Sequence, residues 1–159
     1  MKKLQYLVIH CTATPEGRAV TADDIRQWHL SPPPAGRGWR QVGYTDMFQL
    51  DGTIVRMVDN NEDDVIDTWE ITNGVAGINN VSRHIVYAGG MDAAGRQAKD
   101  TRTDRQRAAL SRYVLEFVHR FPDVRVAGHN QFDKKACPSF DVPAWLKGIG
   151  VSEKNIYRP

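Results

Sequence analysis

The stretch from Leu4 to His10, "LQYLVIH", constrains the fold more than any other part of the chain. It is a nearly continuous apolar run, and such a run is typical of an interior β-strand that is buried on both faces. A strand of this kind needs neighbouring strands on each side and packed layers above and below. His10 ends the run, and side chains at strand ends project where loops form clefts.

Three further segments read as strands. The first is a hairpin, in which "VGYTDMFQL" and "TIVRMV" flank Asp51-Gly52, a pair that predicts a type I′ turn because both residues tolerate positive φ. The others are "SRHIVYAGG", which leaves through Gly89-Gly90, and "VRVAGH", which ends at His129.

Helices are predicted between these strands. "TADDIRQWH" begins with a capping box formed by Thr21 and Asp24, and a longer helix follows Thr103, which has Gln106 three residues on. The longer helix has one apolar stripe, which should face the sheet: Leu110, Val114, Phe117, Val118 and Phe121. A last helix is expected around "DVPAWLKGIG", with a proline in its first turn and a glycine at its end.

The order of these elements defines the fold class. Strands and helices alternate, so we expect an α/β fold with a central mixed β-sheet flanked by helices. The chain has 159 residues, of which 41% are hydrophobic, and this is enough to bury one ordinary core. We therefore expect a single domain over residues 1–159.

Charge and hydropathy exclude several classes of function. The net charge is only +2 and the basic residues are scattered, so nucleic acid is not an expected partner. "MKKLQYLVIH" starts like a signal peptide, but it has a short apolar part and no cleavage site, and no stretch is long enough to insert into a membrane. We expect synthesis in the cytoplasm, with any action outside reached by another route.

Three of the five histidines have ordinary interpretations. His119 flanks the apolar stripe and should face solvent. His29 closes the first helix, where an imidazolium would suit the helix dipole, and His84 lies on a strand that could have one wet face.

His10, His129 and Cys137 form a more informative set. Two imidazoles and one thiolate are ligand types that zinc prefers, and three protein ligands leave a fourth position for water, as in catalytic sites. Spacing alone does not decide the matter, because a buried thiol and two ordinary histidines would give the same pattern. Cys11 is next to His10 on a strand, so it should point to the opposite face as a small core residue that does not share the metal. Two cysteines are too few for a disulfide framework.

A family resemblance adds to this interpretation. The motifs "VIHCTAT", "IRQWH", "VGY" with "DGTIV", "AGG", "GHNQF" and "KACPSFD" resemble, in order, those of the type 2 N-acetylmuramoyl-L-alanine amidases. That family includes amidase-type phage lysozymes and animal peptidoglycan recognition proteins. The similarity runs from about Val8 to Trp145.

The resemblance implies a zinc amidase. Its zinc ligands would be His10, His129 and Cys137, and its catalytic partners would be Tyr44 and Lys135. The substrate would be peptidoglycan or a muropeptide, cleaved between N-acetylmuramic acid and L-alanine. Many phage members carry a histidine where this chain has Thr45, a position expected to line the cleft together with the "VAGINNVSRH" loop.

The sequence is also compatible with other functions. Some proteins with this fold bind peptidoglycan without cleaving it, and a missing cysteine commonly marks them. A muropeptide-recycling amidase tends to carry a carboxylate at the position of Cys137. A regulatory protein partner is neither indicated nor excluded, and we expect a monomer.

Overall fold

The computed structural model describes all residues from 1 to 159. It contains three α-helices, α1 (Ala22–Leu30), α2 (Asp104–Arg120) and α3 (Val142–Gly148). The β-strands are β1 (Lys2–Lys3), β2 (Tyr6–Cys11), β3 (Thr14–Pro15), β4 (Asp46–Phe48), β5 (Ile54–Arg56), β6 (Val65–Ile66), β7 (Ser82–Tyr87), β8 (Gly90–Met91) and β9 (Arg125–Gly128).

The central sheet has five strands in the order β5-β4-β7-β2-β9. Strands β4, β7, β2 and β9 run parallel to one another, and β5 pairs antiparallel with β4, so the predicted mixed sheet is confirmed. The apolar run at the start of the chain forms β2, which has a partner on each side. Two small two-stranded pairs, β1 with β6 and β3 with β8, lie outside this sheet.

The two faces of the sheet are covered by different helices. Leu7, Ile9 and Cys11 of β2 belong to the larger apolar cluster, which also contains buried residues of α2 and α3. On the other face Ile25 of α1 packs with Met47 and Val86 in a smaller apolar cluster. His10 alternates with its neighbours in β2, so its side chain lies on the α1 side of the sheet.

The helices begin as the sequence predicts. The side chains of Thr21 and Thr103 each accept a hydrogen bond from the backbone N–H three residues on. In turn, the side chains of Asp24 and Gln106 accept from the backbone N–H of the cap residue. Asp141 caps α3 by accepting from the Ala144 N–H. No helix in the chain combines the length and the apolar character that crossing a bilayer requires.

The hairpin is confirmed, but the prediction of its turn was wrong. Strands β4 and β5 are joined by a five-residue loop from 49 to 53, because Phe48 pairs with Ile54. Within the loop only Gly52 has positive φ, at 83°, whereas a type I′ turn requires two such residues. Asp51 instead accepts a hydrogen bond from the Thr53 N–H at 2.9 Å, which favours the longer loop.

Candidate metal centre

Two histidines meet at one edge of the central sheet. His10 lies near the carboxyl end of β2, and His129 directly follows β9, which runs parallel to β2 with Ile9 opposite Gly128. Carboxyl ends of parallel strands form the edge at which α/β folds place their sites. The centroids of the two imidazole rings are 4.8 Å apart.

A loop brings Cys137 to the same edge. The Cys11 backbone N–H donates to Cys137 Sγ at 3.3 Å. The following residue, Pro138, joins through a cis peptide bond, and its carbonyl accepts a hydrogen bond from the Tyr87 hydroxyl at 2.6 Å. The two hydrogen bonds hold the loop against the ends of β2 and β7. One ligand atom from each of His10, His129 and Cys137 then lies within 4.8 Å of the others.

The surroundings of the three donors fit a metal ion. His129 Nε2 is 2.8 Å from Asp133 Oδ2, and His10 Nε2 is 2.9 Å from His84 Nδ1, so each ring has its Nε2 occupied and its Nδ1 left for a metal. Metal-binding histidines commonly have the far nitrogen held in this way. The pKa of the Cys137 thiol is raised, mainly by a hydrogen bond with the Cys11 thiol and secondly by burial. A bound cation offsets that effect, because a coordinating thiol loses its proton.

Beside this cluster lies an open cleft of about 610 Å³. Tyr44 and Lys135 both line it, together with His10 and His129. The Tyr44 ring centroid is 5.2 Å from that of His10. Burial, then the nearby Cys137, raises the pKa of Tyr44, so its hydroxyl keeps its proton and can donate a hydrogen bond.

The two adjacent lysines differ in position. Lys135 lines the cleft, whereas Lys134 does not, although both are exposed. Burial lowers the pKa of His10 well below its usual value, and the charges of His84, His129 and Lys135 act in the same direction. Lys135 is therefore the lysine whose charge acts on the candidate ligand His10.

The interpretations of His29 and His84 were wrong. His29 is buried, its Nδ1 accepts a hydrogen bond from the Gly43 N–H at 3.0 Å, and burial with the Arg37 charge lowers its pKa to about 4. It is therefore a neutral residue that lines the cleft, not a surface imidazolium. His84 has no wet face, since it is completely buried and contacts His10. His119 is exposed, as predicted.

The "VAGINNVSRH" loop reaches the cleft, but Thr45 does not. Gly74, Ala76 and Asn79 line the cleft in or beside that loop, as expected. Thr45 is buried, and its N–H donates to the His84 carbonyl at 2.8 Å, so it belongs to the sheet interior. Asp133 was not among the predicted site residues, although its spacing of four residues from His129 was a usable signal.

Comparison with known proteins gives consistent matches. The family model described as N-acetylmuramoyl-L-alanine amidase matches residues 1–140. The endolysin of Enterobacteria phage K11 is 32% identical over 139 residues, covering 87% of this chain and 83% of that protein. The endolysin of Escherichia phage T7 is 28% identical over the same shares of the two chains.

Solved structures show the same fold at lower identity. The Ph2119 endolysin from a Thermus scotoductus bacteriophage aligns with a TM-score of 0.69 and 24% identity, covering 94% of this chain and 87% of that one. Drosophila PGRP-LB aligns with a TM-score of 0.68 and 20% identity, covering 95% and 84%.

Proposed function

The chain belongs to the N-acetylmuramoyl-L-alanine amidase family, and from that premise we propose that it hydrolyses peptidoglycan with a zinc ion. The bond cleaved is the amide between the lactyl group of N-acetylmuramic acid and L-alanine of the stem peptide. The observation that carries this proposal is the convergence of His10, His129 and Cys137 on one point beside an open cleft.

Three residues would hold the zinc ion. His10 and His129 supply neutral nitrogens from neighbouring strand ends, and Cys137 supplies the one negative charge after losing its proton. When bound, zinc polarises the carbonyl of the substrate and makes water nucleophilic near neutral pH. Asp133 accepts from His129 Nε2–H and thereby orients that ring.

Tyr44 and Lys135 act on the reacting carbonyl. Tyr44 retains its proton, so we assign it to donate a hydrogen bond to the oxygen that gains negative charge. The Lys135 ammonium lies at the cleft and stabilises the same charge by attraction. Both groups stabilise the transition state more than the ground state, because the charge exists only after attack begins.

A peptidoglycan ligand is supported from a second direction. The ectodomain complex of peptidoglycan recognition proteins LCa and LCx, which aligns with a TM-score of 0.66, is described as bound to tracheal cytotoxin. Recognition of peptidoglycan without cleavage is the alternative function. This chain carries Cys137, Tyr44 and Lys135 together, which favours hydrolysis over recognition alone.

Digestion of purified peptidoglycan tests the proposal. We expect new L-alanine amino termini that disappear when a zinc chelator is added and return with zinc. New sugar reducing ends alone would identify a glycosidase and contradict the proposal. Binding to peptidoglycan without either product would move the function to recognition.

A further inference from the structure

We propose that Asn79 and His84 are positioning residues that fix the tautomer of His10, so that His10 Nδ1 is the atom presented to the metal. The inference rests on the proposed function in one respect, namely that His10 binds zinc. Neither residue belongs to the set of candidate ligands: His84 contacts His10 Nε2, and Asn79 contacts His84 Nε2.

A backbone amide fixes the orientation of the Asn79 side chain. The Val75 N–H donates to Asn79 Oδ1 at 2.9 Å. A backbone N–H can only donate, so the side-chain atom that it contacts must be the amide oxygen. The orientation of the Asn79 side chain is thereby determined without reference to any histidine.

The same oxygen determines the protonation of His84. Asn79 Oδ1 lies 2.9 Å from His84 Nε2, and because this oxygen only accepts, His84 Nε2 must carry a proton. His84 is completely buried, and its Nδ1 faces the imidazole of His10 instead of a carboxylate, so the interior fits a neutral ring. A neutral imidazole with a proton on Nε2 has a lone pair on Nδ1.

His84 in turn determines the protonation of His10. His84 Nδ1 lies 2.9 Å from His10 Nε2, and since His84 Nδ1 accepts, His10 Nε2 must donate. The lone pair of neutral His10 is then on Nδ1. That atom is 3.8 Å from Cys137 Sγ and therefore faces the other ligands.

The sheet and one glycine make room for this arrangement. His84 on β7 pairs in register with Val8 on β2, two residues before His10 on the same face. A Cβ at residue 74 would overlap the His84 ring, so a glycine is needed there for space. His84 is completely buried, and both of its nitrogens are used in the relay. A buried polar group is costly unless it is bonded in this way.

Nuclear magnetic resonance of the metal-free protein tests the tautomer directly. With ¹⁵N-labelled histidine, we expect His10 to carry its proton on Nε2 before any zinc is added. In His84→Leu, which removes the acceptor, His10 should become a mixture of tautomers. A His10 proton on Nδ1 in the wild-type protein, or an unchanged tautomer in His84→Leu, would overturn the inference.

Zinc affinity, measured by competition with a chelator, provides the second test. We expect His84→Leu to raise the zinc Kd by about 10- to 100-fold. His84→Asn should restore most of the affinity, because its Oδ1 can take the place of the accepting Nδ1. Equal Kd values for wild type and His84→Leu, or no rescue by His84→Asn, would contradict the relay.

Asn79 offers a matched pair that leaves His84 in place. Asn79→Leu should weaken zinc binding, whereas Asn80→Leu, at the exposed neighbouring position, should not. Equal affinities for these two variants would remove Asn79 from the relay. If the wild-type protein bound no zinc, the proposed function would fail, and the tautomer measurement would still decide the relay.

Discussion

The two faces of the central sheet differ in the kind of side chain that the same strands bury. On the α2 and α3 face, Leu7, Ile9 and Cys11 enter a continuous apolar cluster. On the α1 face the apolar cluster is smaller, and two buried histidines, His10 and His84, lie on the same side of the sheet. The α2 and α3 face thus supplies most of the apolar burial, and the α1 face carries buried imidazoles whose nitrogens need partners.

Because of this difference, substitutions on the two faces should have separate effects on stability and on metal binding. Side chains that are adjacent in a strand alternate between faces, so stability and metal binding can be altered from neighbouring positions. Substitutions of the candidate site residues should change zinc binding or turnover while the fold survives. Substitutions of apolar residues on the α2 and α3 face should lower stability and leave zinc binding unchanged.

The largest expected effect is at Cys137. Cys137→Ser should lose both zinc and activity while its circular dichroism spectrum stays native, because the core does not depend on the site. Cys11 is the matched thiol on the α2 and α3 face, and Cys11→Ala should keep one equivalent of zinc with a stability loss of about 1 kcal/mol. Metal analysis checks both variants, and full zinc content in Cys137→Ser would exclude Cys137 as a ligand.

Turnover should fall next most steeply at Lys135. Removing one group that stabilises an oxyanion costs about 10²- to 10³-fold in rate, so Lys135→Ala should keep zinc but hydrolyse slowly. Lys134→Ala should be near normal, because Lys134 does not line the cleft. Steady-state rates on peptidoglycan compare the two, and equal losses would reject the assignment of Lys135.

Leu110 tests the α2 and α3 face of the sheet. It is completely buried in the larger apolar cluster, and Leu110→Ala should lower the free energy of unfolding by about 3 kcal/mol. Its zinc Kd should equal that of wild type at temperatures where the variant is folded. Denaturant titration and chelator competition measure the two quantities, and a large change in Kd would show that the faces are coupled.

The smallest effect is expected at the start of α2. Thr103→Ala removes the acceptor for the Gln106 N–H, and such a cap loss costs about 1 kcal/mol. Thr103→Ser keeps the hydroxyl and should be close to wild type in thermal unfolding. If both variants lost the same stability, the cap would not be the cause.

Local patterns predicted the elements but not how they meet. Strand β2 and helix α2 could be read from their apolar patterns, because burial imposes a run on an interior strand and a stripe on a helix. The contact between His84 and His10 could not, since it depends on the register of two strands whose residues lie 74 positions apart. The length of the loop after β4 was not predicted. The Asp51 carboxylate accepts a hydrogen bond from the Thr53 N–H, and this bond outweighed the preference of Asp-Gly for a tight turn.

The ligand set is the central claim, and X-ray absorption at the zinc edge of the purified protein tests it most directly. Coordination by His10, His129, Cys137 and one water predicts one sulfur at about 2.3 Å and three nitrogen or oxygen atoms at about 2.0–2.2 Å. In Cys137→Ser reconstituted with excess zinc, the sulfur signal should vanish. A wild-type spectrum without sulfur, or one with two sulfur atoms that would bring in Cys11, would contradict the account.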